Sequence, residues 1–77
     1  MENIKSYISN NLKYLRERKS KSQEDTASAL GLKRGRYASY EEGRNEPNIE
    51  TLIRISRYYK IQIDILVSRN MSSKKQW

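Results

Sequence analysis

The stretch from Ser22 to Pro47, SQEDTASALGLKRGRYASYEEGRNEP, constrains this chain most, because it reads as two short helices joined by a tight turn. Ser22 is a good N-cap, and Asp25 three residues on gives a variant of the capping box. Gln23, Glu24 and Asp25 put polar and acidic groups at the positive end of that helix. The helix is expected to run to Leu30 and to stop at Gly31, since the left-handed backbone wanted just past a helix costs glycine nothing. Leu32 pins the turn into the core. A second helix starts near Arg34, with Tyr37 and Tyr40 at i, i+3 on its inner face; its outer face keeps Arg34, Gly35, Ala38 and Ser39.

The segments around this unit are helical too. Ile4, Ile8, Leu12 and Leu15 form one helical stripe with charges in the gaps, which predicts a first helix ending by Lys19. Asn3 or Ser6 could cap it. The loop Gly43 to Pro47 ends the helix that begins near Arg34, with Gly43 just past its last turn and Pro47 preventing continuation. Asn48 then caps a fourth helix, whose Ile49, Leu52, Ile53, Ser56 and Tyr59 repeat at helical spacing down to Tyr59 or Lys60, with Arg54 and Arg57 facing out. IQIDILV, residues 61–67, is ambiguous: Ile61, Ile63, Ile65 and Val67 alternate as in a strand. The tail SRNMSSKKQW, 68–77, is polar, basic and aperiodic, and is expected to be poorly ordered, with Trp77 at a frayed end or docked on a partner.

Seventy-seven residues make one small domain, and such a chain buries only about 60% of the surface it exposes when unfolded. A net charge of +7 favours polyanionic partners, nucleic acid first and an acidic protein or anionic membrane second. Without cysteine or histidine there is no disulfide, thiolate metal site, imidazole catalysis or histidine switch, and neither a metal nor a cofactor is expected. No paired carboxylates, glycine-rich phosphate loop or activated nucleophile suggest an enzyme. No apolar run approaches the roughly 20 residues that span a bilayer, and the start lacks a signal-peptide h-region, so a cytoplasmic location is expected.

The order Gln23, Ala27, Leu30, Gly31, Leu32, Tyr37, Tyr40, Glu41, Gly43, Pro47 resembles the phage repressor and Cro (XRE-type) helix-turn-helix family, over roughly Ile8 to Val67. The resemblance implies an all-α, compact, five-helix lambda-repressor-like DNA-binding domain over 1–67, with the helix-turn-helix proper at 22–42. It places the first helix's start near Ile8 and favours a short fifth helix, opened at Gln62, over a strand at 61–67. Three residues depart from the family pattern: Ser20 and Lys21 replace a usual glycine and apolar residue, and Thr26 stands where a leucine faces the core, tolerable if its hydroxyl bonds back to a carbonyl.

The resemblance also implies the site. Base-reading positions fall on Lys33, Arg34, Gly35 and Ser39, with Arg34 the best reader because a guanidinium can donate twice to guanine. Lys33 replaces a serine cap and gains a phosphate contact, while Gly35 puts no side chain where relatives often carry a reader. Gln23, Arg36, Arg44 and Asn45 are expected at phosphates, Gln23 also buttressing Arg34, with Glu42 repelling phosphate nearby. Arg16 and Glu41 match a pair that ties the first helix to the recognition helix. Ile63, Ile65, Leu66 and Val67 form either a dimer surface or part of the monomer core. The implied function is a sequence-specific double-stranded-DNA-binding transcriptional regulator, a homodimeric repressor on an inverted repeat, with RNA polymerase as a further partner if it activates. An antitoxin bound to a toxin, or a restriction-modification controller, fits the same residues.

Overall fold

The computed structural model describes residues 4–72, which fold as five helices in chain order: α1 (Ile4–Arg18), α2 (Gln23–Ala29), α3 (Arg34–Glu41), α4 (Ile49–Tyr59) and α5 (Ile63–Ser68). There is no strand among the described residues, and the ambiguous stretch resolves as a short helix that begins at Ile63. Local chemistry accounts for two of the starts. Ser22 and Asn48 each accept the backbone N–H three residues on, from Asp25 at 3.0 Å and from Thr51 at 2.9 Å.

Four of the five helices stop in the same way. After α1, α2, α3 and α4 comes one residue with positive φ, respectively Ser20, Gly31, Gly43 and Lys60. The amide one residue later then turns back onto the carbonyl five residues before it: Lys21 onto Arg16, Leu32 onto Ala27, Arg44 onto Ser39 and Ile61 onto Ser56. This turn satisfies carbonyls that a helix end would otherwise leave bare. Glycine fills it without cost at two positions. Ser20 carries a Cβ in the left-handed region, which is where the sequence lacks the expected glycine.

The core draws on every helix. Ile8, Leu12 and Leu15 of α1 meet Ala27 and Leu30, Tyr37 and Tyr40, Leu52 and Ile55, and Leu66. α1 packs on α3 and α5, α2 packs on α3, and α4 packs on α5. Lys19 lies 4.6 Å from the Tyr58 ring centre, so the turn after α1 is tied to α4 by a cation–aromatic contact rather than solvated. Arg54, expected to face out, is exposed and reaches the Leu30 carbonyl at the end of α2.

One expectation is corrected, one alternative left open closes for Leu66, and the packing continues past Val67. On α4 the core face is Thr51, Leu52 and Ile55, whereas Ile49 and Ile53 are exposed. Leu66 belongs to the monomer core, with Ile63, Ile65 and Val67 packed partly buried around it, so a dimer surface cannot include Leu66. The ordered domain also runs past Val67: Ser68 ends α5, and Met71 is fully buried. The rest of the tail, 73–77 including Trp77, lies outside the described residues, as do Asn3 and any cap it forms.

Asn11 explains why the chain stays packed that far. This fully buried side chain donates to the Leu66 carbonyl at 2.8 Å and the Arg69 carbonyl at 2.7 Å, and accepts the Met71 amide at 2.8 Å. It caps the end of α5 and fastens it to α1. Thr26 differs: its buried hydroxyl lies beside the buried hydroxyl of Tyr59, and neither makes a well-formed hydrogen bond. The carbonyl bond expected of Thr26 is not made.

Candidate nucleic-acid interface

The site begins at a helix start unlike those of α2 and α4. α2 and α4 open with a side-chain cap and acidic residues in the first turn. α3 opens on Lys33, whose side chain makes no capping bond, and has no acid in its first turn. Lys33, Arg34 and Arg36 crowd there with Gly35, all exposed. Cations oppose the positive end of a helix dipole and glycine weakens a helix, so this end is built for something other than helix stability. An anion placed there would relieve the conflict.

What holds α3 in place is a buried carboxylate. Glu41, its side chain 1% exposed, accepts Arg16 Nε at 2.7 Å and Nη2 at 3.1 Å, Gln23 Nε2 at 3.1 Å and the Tyr37 hydroxyl. Arg16 also donates Nη1 to the Lys21 carbonyl at 2.9 Å, fixing the turn after α1. One acid therefore joins α1, α2 and α3. Burial pushes the Glu41 carboxyl up, but the hydrogen bonds from Arg16, Tyr37 and Gln23 and the Arg16 charge outweigh it, so its pKa falls below the ordinary glutamate value. Burial first, then the bond to Glu41, raises the Tyr37 phenol well above its usual value. Tyr59 is pushed up to about 12 by burial and by neighbouring Tyr58.

Beside the exposed start of α3 lies a concavity of about 450 Å³, walled by Gly35, Arg36, Ser39, Arg44, Asn45 and Glu46. Nothing lies within 4 Å of where a Cβ would stand at Gly35, so the missing side chain leaves open space. Ala38 and Ser39 are corrected here, since both are buried and neither forms an outer face. Ser39, 3% exposed, donates its hydroxyl to the Arg36 carbonyl at 2.7 Å, and its own carbonyl accepts the Arg44 amide at 3.0 Å. It anchors the loop that presents Arg44 and Asn45.

Of the expected site residues, the structure thus brings Gly35, Arg36, Arg44 and Asn45 to one concavity, with Lys33 and Arg34 exposed beside it on the same helix start. Gln23 is engaged with Glu41 and not with Arg34. Arg44 Nε donates to Glu42 at 2.7 Å, both side chains being exposed, so the expected repulsive acid instead holds a cation of the site. No cluster of acids suited to a metal exists among the described residues.

Comparison with known proteins agrees with this geometry. The helix-turn-helix family profile matches residues 12–66, which takes in all of α2, α3 and α4. The chain belongs to the XRE-type helix-turn-helix family. Helix-turn-helix relatives include the uncharacterized HTH-type transcriptional regulator YqaE of Bacillus subtilis, 38% identical over 87% of this chain and 58% of that protein. The cryptic phage CTXphi transcriptional repressor RstR of Vibrio cholerae is 32% identical over 79% of this chain and 55% of that protein. The uncharacterized HTH-type transcriptional regulator MJ0272 of Methanocaldococcus jannaschii is 30% identical over 74% of this chain and 86% of that protein. The chain spans just over half the length of the first two. No solved structure matches it significantly. α2 and α3 are the first and second helices of the motif.

Proposed function

We propose that this chain is a sequence-specific double-stranded-DNA-binding transcriptional regulator, acting in the cytoplasm as a homodimeric repressor on an inverted-repeat operator. The observation that carries the reading is the uncapped, cation-lined start of α3. In the major groove that start meets base edges and phosphates, so its unfavourable charge becomes binding energy on DNA.

Arg34 is the base reader, its guanidinium donating to guanine O6 and N7. Lys33 stands beside it at the helix start, and Gly35 lets the backbone approach the groove closely. Arg36, Arg44 and Asn45 take phosphates along the concavity, and Gln23 offers a phosphate the amide hydrogen it does not spend on Glu41. Ser39 serves the site by holding the loop, not by touching a base. No catalytic role is assigned, and residues 4–72 act as one DNA-binding domain.

Selection of bound sites from a random double-stranded DNA library at near-physiological salt tests this reading. An enriched inverted repeat with half-sites about one helical turn apart is expected. Salt-sensitive binding with no enriched sequence would contradict it.

A further inference from the structure

Tyr37 is fully buried on the inner face of α3, where a phenylalanine or aliphatic side chain would fill the core without desolvating a hydroxyl. That hydroxyl donates to Glu41 Oε2 at 2.5 Å, and Arg16 Nε donates to the same oxygen at 2.7 Å. Oε1 accepts Arg16 Nη2 and Gln23 Nε2, each at 3.1 Å. The roughly four acceptor sites of a carboxylate are thus filled. Arg16 already balances the charge, so what the phenol adds is direction. Among the described residues, Tyr37 is the donor to Glu41 that stands on α3 itself, one turn before the acid.

We propose that Tyr37 is a positioning residue for DNA binding: its hydroxyl fixes the Glu41 carboxylate to α3, and Glu41 Oε1 in turn aims the Gln23 amide at a DNA phosphate. The inference rests on the phosphate contact of Gln23 put forward above and names the residue that sets it.

Gln23 opens α2, is only half-buried, and spends one amide hydrogen on Glu41 while keeping the other. A long side chain loses rotamer freedom when it grips a phosphate, and one already tethered loses less. The tether is as firm as the carboxylate at its end. Arg16 reaches that carboxylate from α1 and shares its guanidinium with the Lys21 carbonyl at 2.9 Å, whereas Tyr37 turns about two bonds only and is packed into the core. Neighbouring hydroxyls do not duplicate it. Those of Thr26 and Tyr59 make no well-formed hydrogen bond, although that of Tyr59 lies beside the Tyr37 hydroxyl as well as beside Thr26.

Binding to a duplex DNA of random sequence, at several salt concentrations and well below each protein's melt, tests this with the wild type, Gln23→Ala, Tyr37→Phe and the double variant. Gln23→Ala should weaken binding about tenfold and Tyr37→Phe about threefold, as expected for a lost and for a loosened hydrogen bond. In the Gln23→Ala background, Tyr37→Phe should have almost no effect, since nothing is left to position. Gln23 is uncharged, so both losses should be the same at every salt concentration. A role in stability alone predicts equal effects of Tyr37→Phe with and without Gln23, and that result overturns the positioning role. Tyr37→Met should couple to Gln23 in the same way, which keeps the test open if Tyr37→Phe fails to fold. Unchanged binding by Gln23→Ala overturns the phosphate contact and the positioning with it. A loss in Gln23→Ala with none in Tyr37→Phe overturns the positioning alone.

Discussion

Arg16 on α1 grips Glu41 on α3 through two nitrogens, at 2.7 and 3.1 Å, across a boundary where the acid is 1% and the arginine 15% exposed. Removing either partner strands the other. Arg16→Ala should therefore destabilise the fold by about 3–5 kcal/mol. Arg16→Ala combined with Glu41→Gln should cost less than the two single losses added, which a double-mutant cycle in urea would show. Strict additivity would contradict the pair.

The same carboxylate sets the acid limit of stability. Its folded pKa lies below the unfolded value of about 4.5, so its contribution is present above that value and lost as pH falls through the folded pKa. At the other limit, the phenols of Tyr37 and Tyr59 are raised, so their contribution is present below about pH 10 and lost as pH rises further, through about 12 for Tyr59. Urea midpoints against pH should give a plateau falling at both ends. Glu41→Gln should lower the plateau and flatten its acid edge.

Glu42 holds Arg44 in the free chain by an exposed ion pair. Such pairs contribute little to stability, about 0–1 kcal/mol, so Glu42→Gln should leave the melt nearly unchanged. It frees the arginine for a phosphate. Binding titrations at several salt concentrations should show tighter binding to all sequences alike, with a salt slope steeper by about 0.9.

Two buried polar side chains should respond unequally to apolar replacement. Asn11→Leu leaves two carbonyls and one amide without their partner, at a cost of about 1–3 kcal/mol for each group stranded. Hydrogen exchange should then rise first at α5 and Met71. Thr26→Val keeps the shape and removes a hydroxyl that makes no well-formed hydrogen bond and lies beside that of Tyr59, so its cost should be under about 1 kcal/mol, well below that of Asn11→Leu. Comparing the two melts checks both.

What was legible in the sequence is what short-range chemistry decides. Ser22 and Asn48 cap their helices, Gly31 and Gly43 end them, and Tyr37 and Tyr40 point inward, all within a few residues of the groups that set them. Contacts set by distant chain were harder to see. Helical spacing grouped Ile49 and Ile53 with Leu52, but it cannot say which side of a wide apolar stripe meets the core. Ser39 is buried because the Arg44 amide folds back on its carbonyl, a property of the loop rather than of the helix face. Asn11 finds its partners 55 to 60 residues away. Its one signal was a polar residue set on the stripe of Ile8, Leu12 and Leu15. Arg16 gave a stronger signal, since a charge beside that stripe needs an opposite charge, and the family resemblance supplied Glu41.

The central claim is that the exposed start of α3 reads DNA sequence through Arg34. Parallel selections from one random duplex library, with the wild type and with Arg34→Ala, test it most directly. The wild type should select an inverted repeat, and the variant the same repeat with preference lost at one base position in each half-site, a discrimination of about 1–3 kcal/mol. An identical preference at every position in the two selections would contradict it.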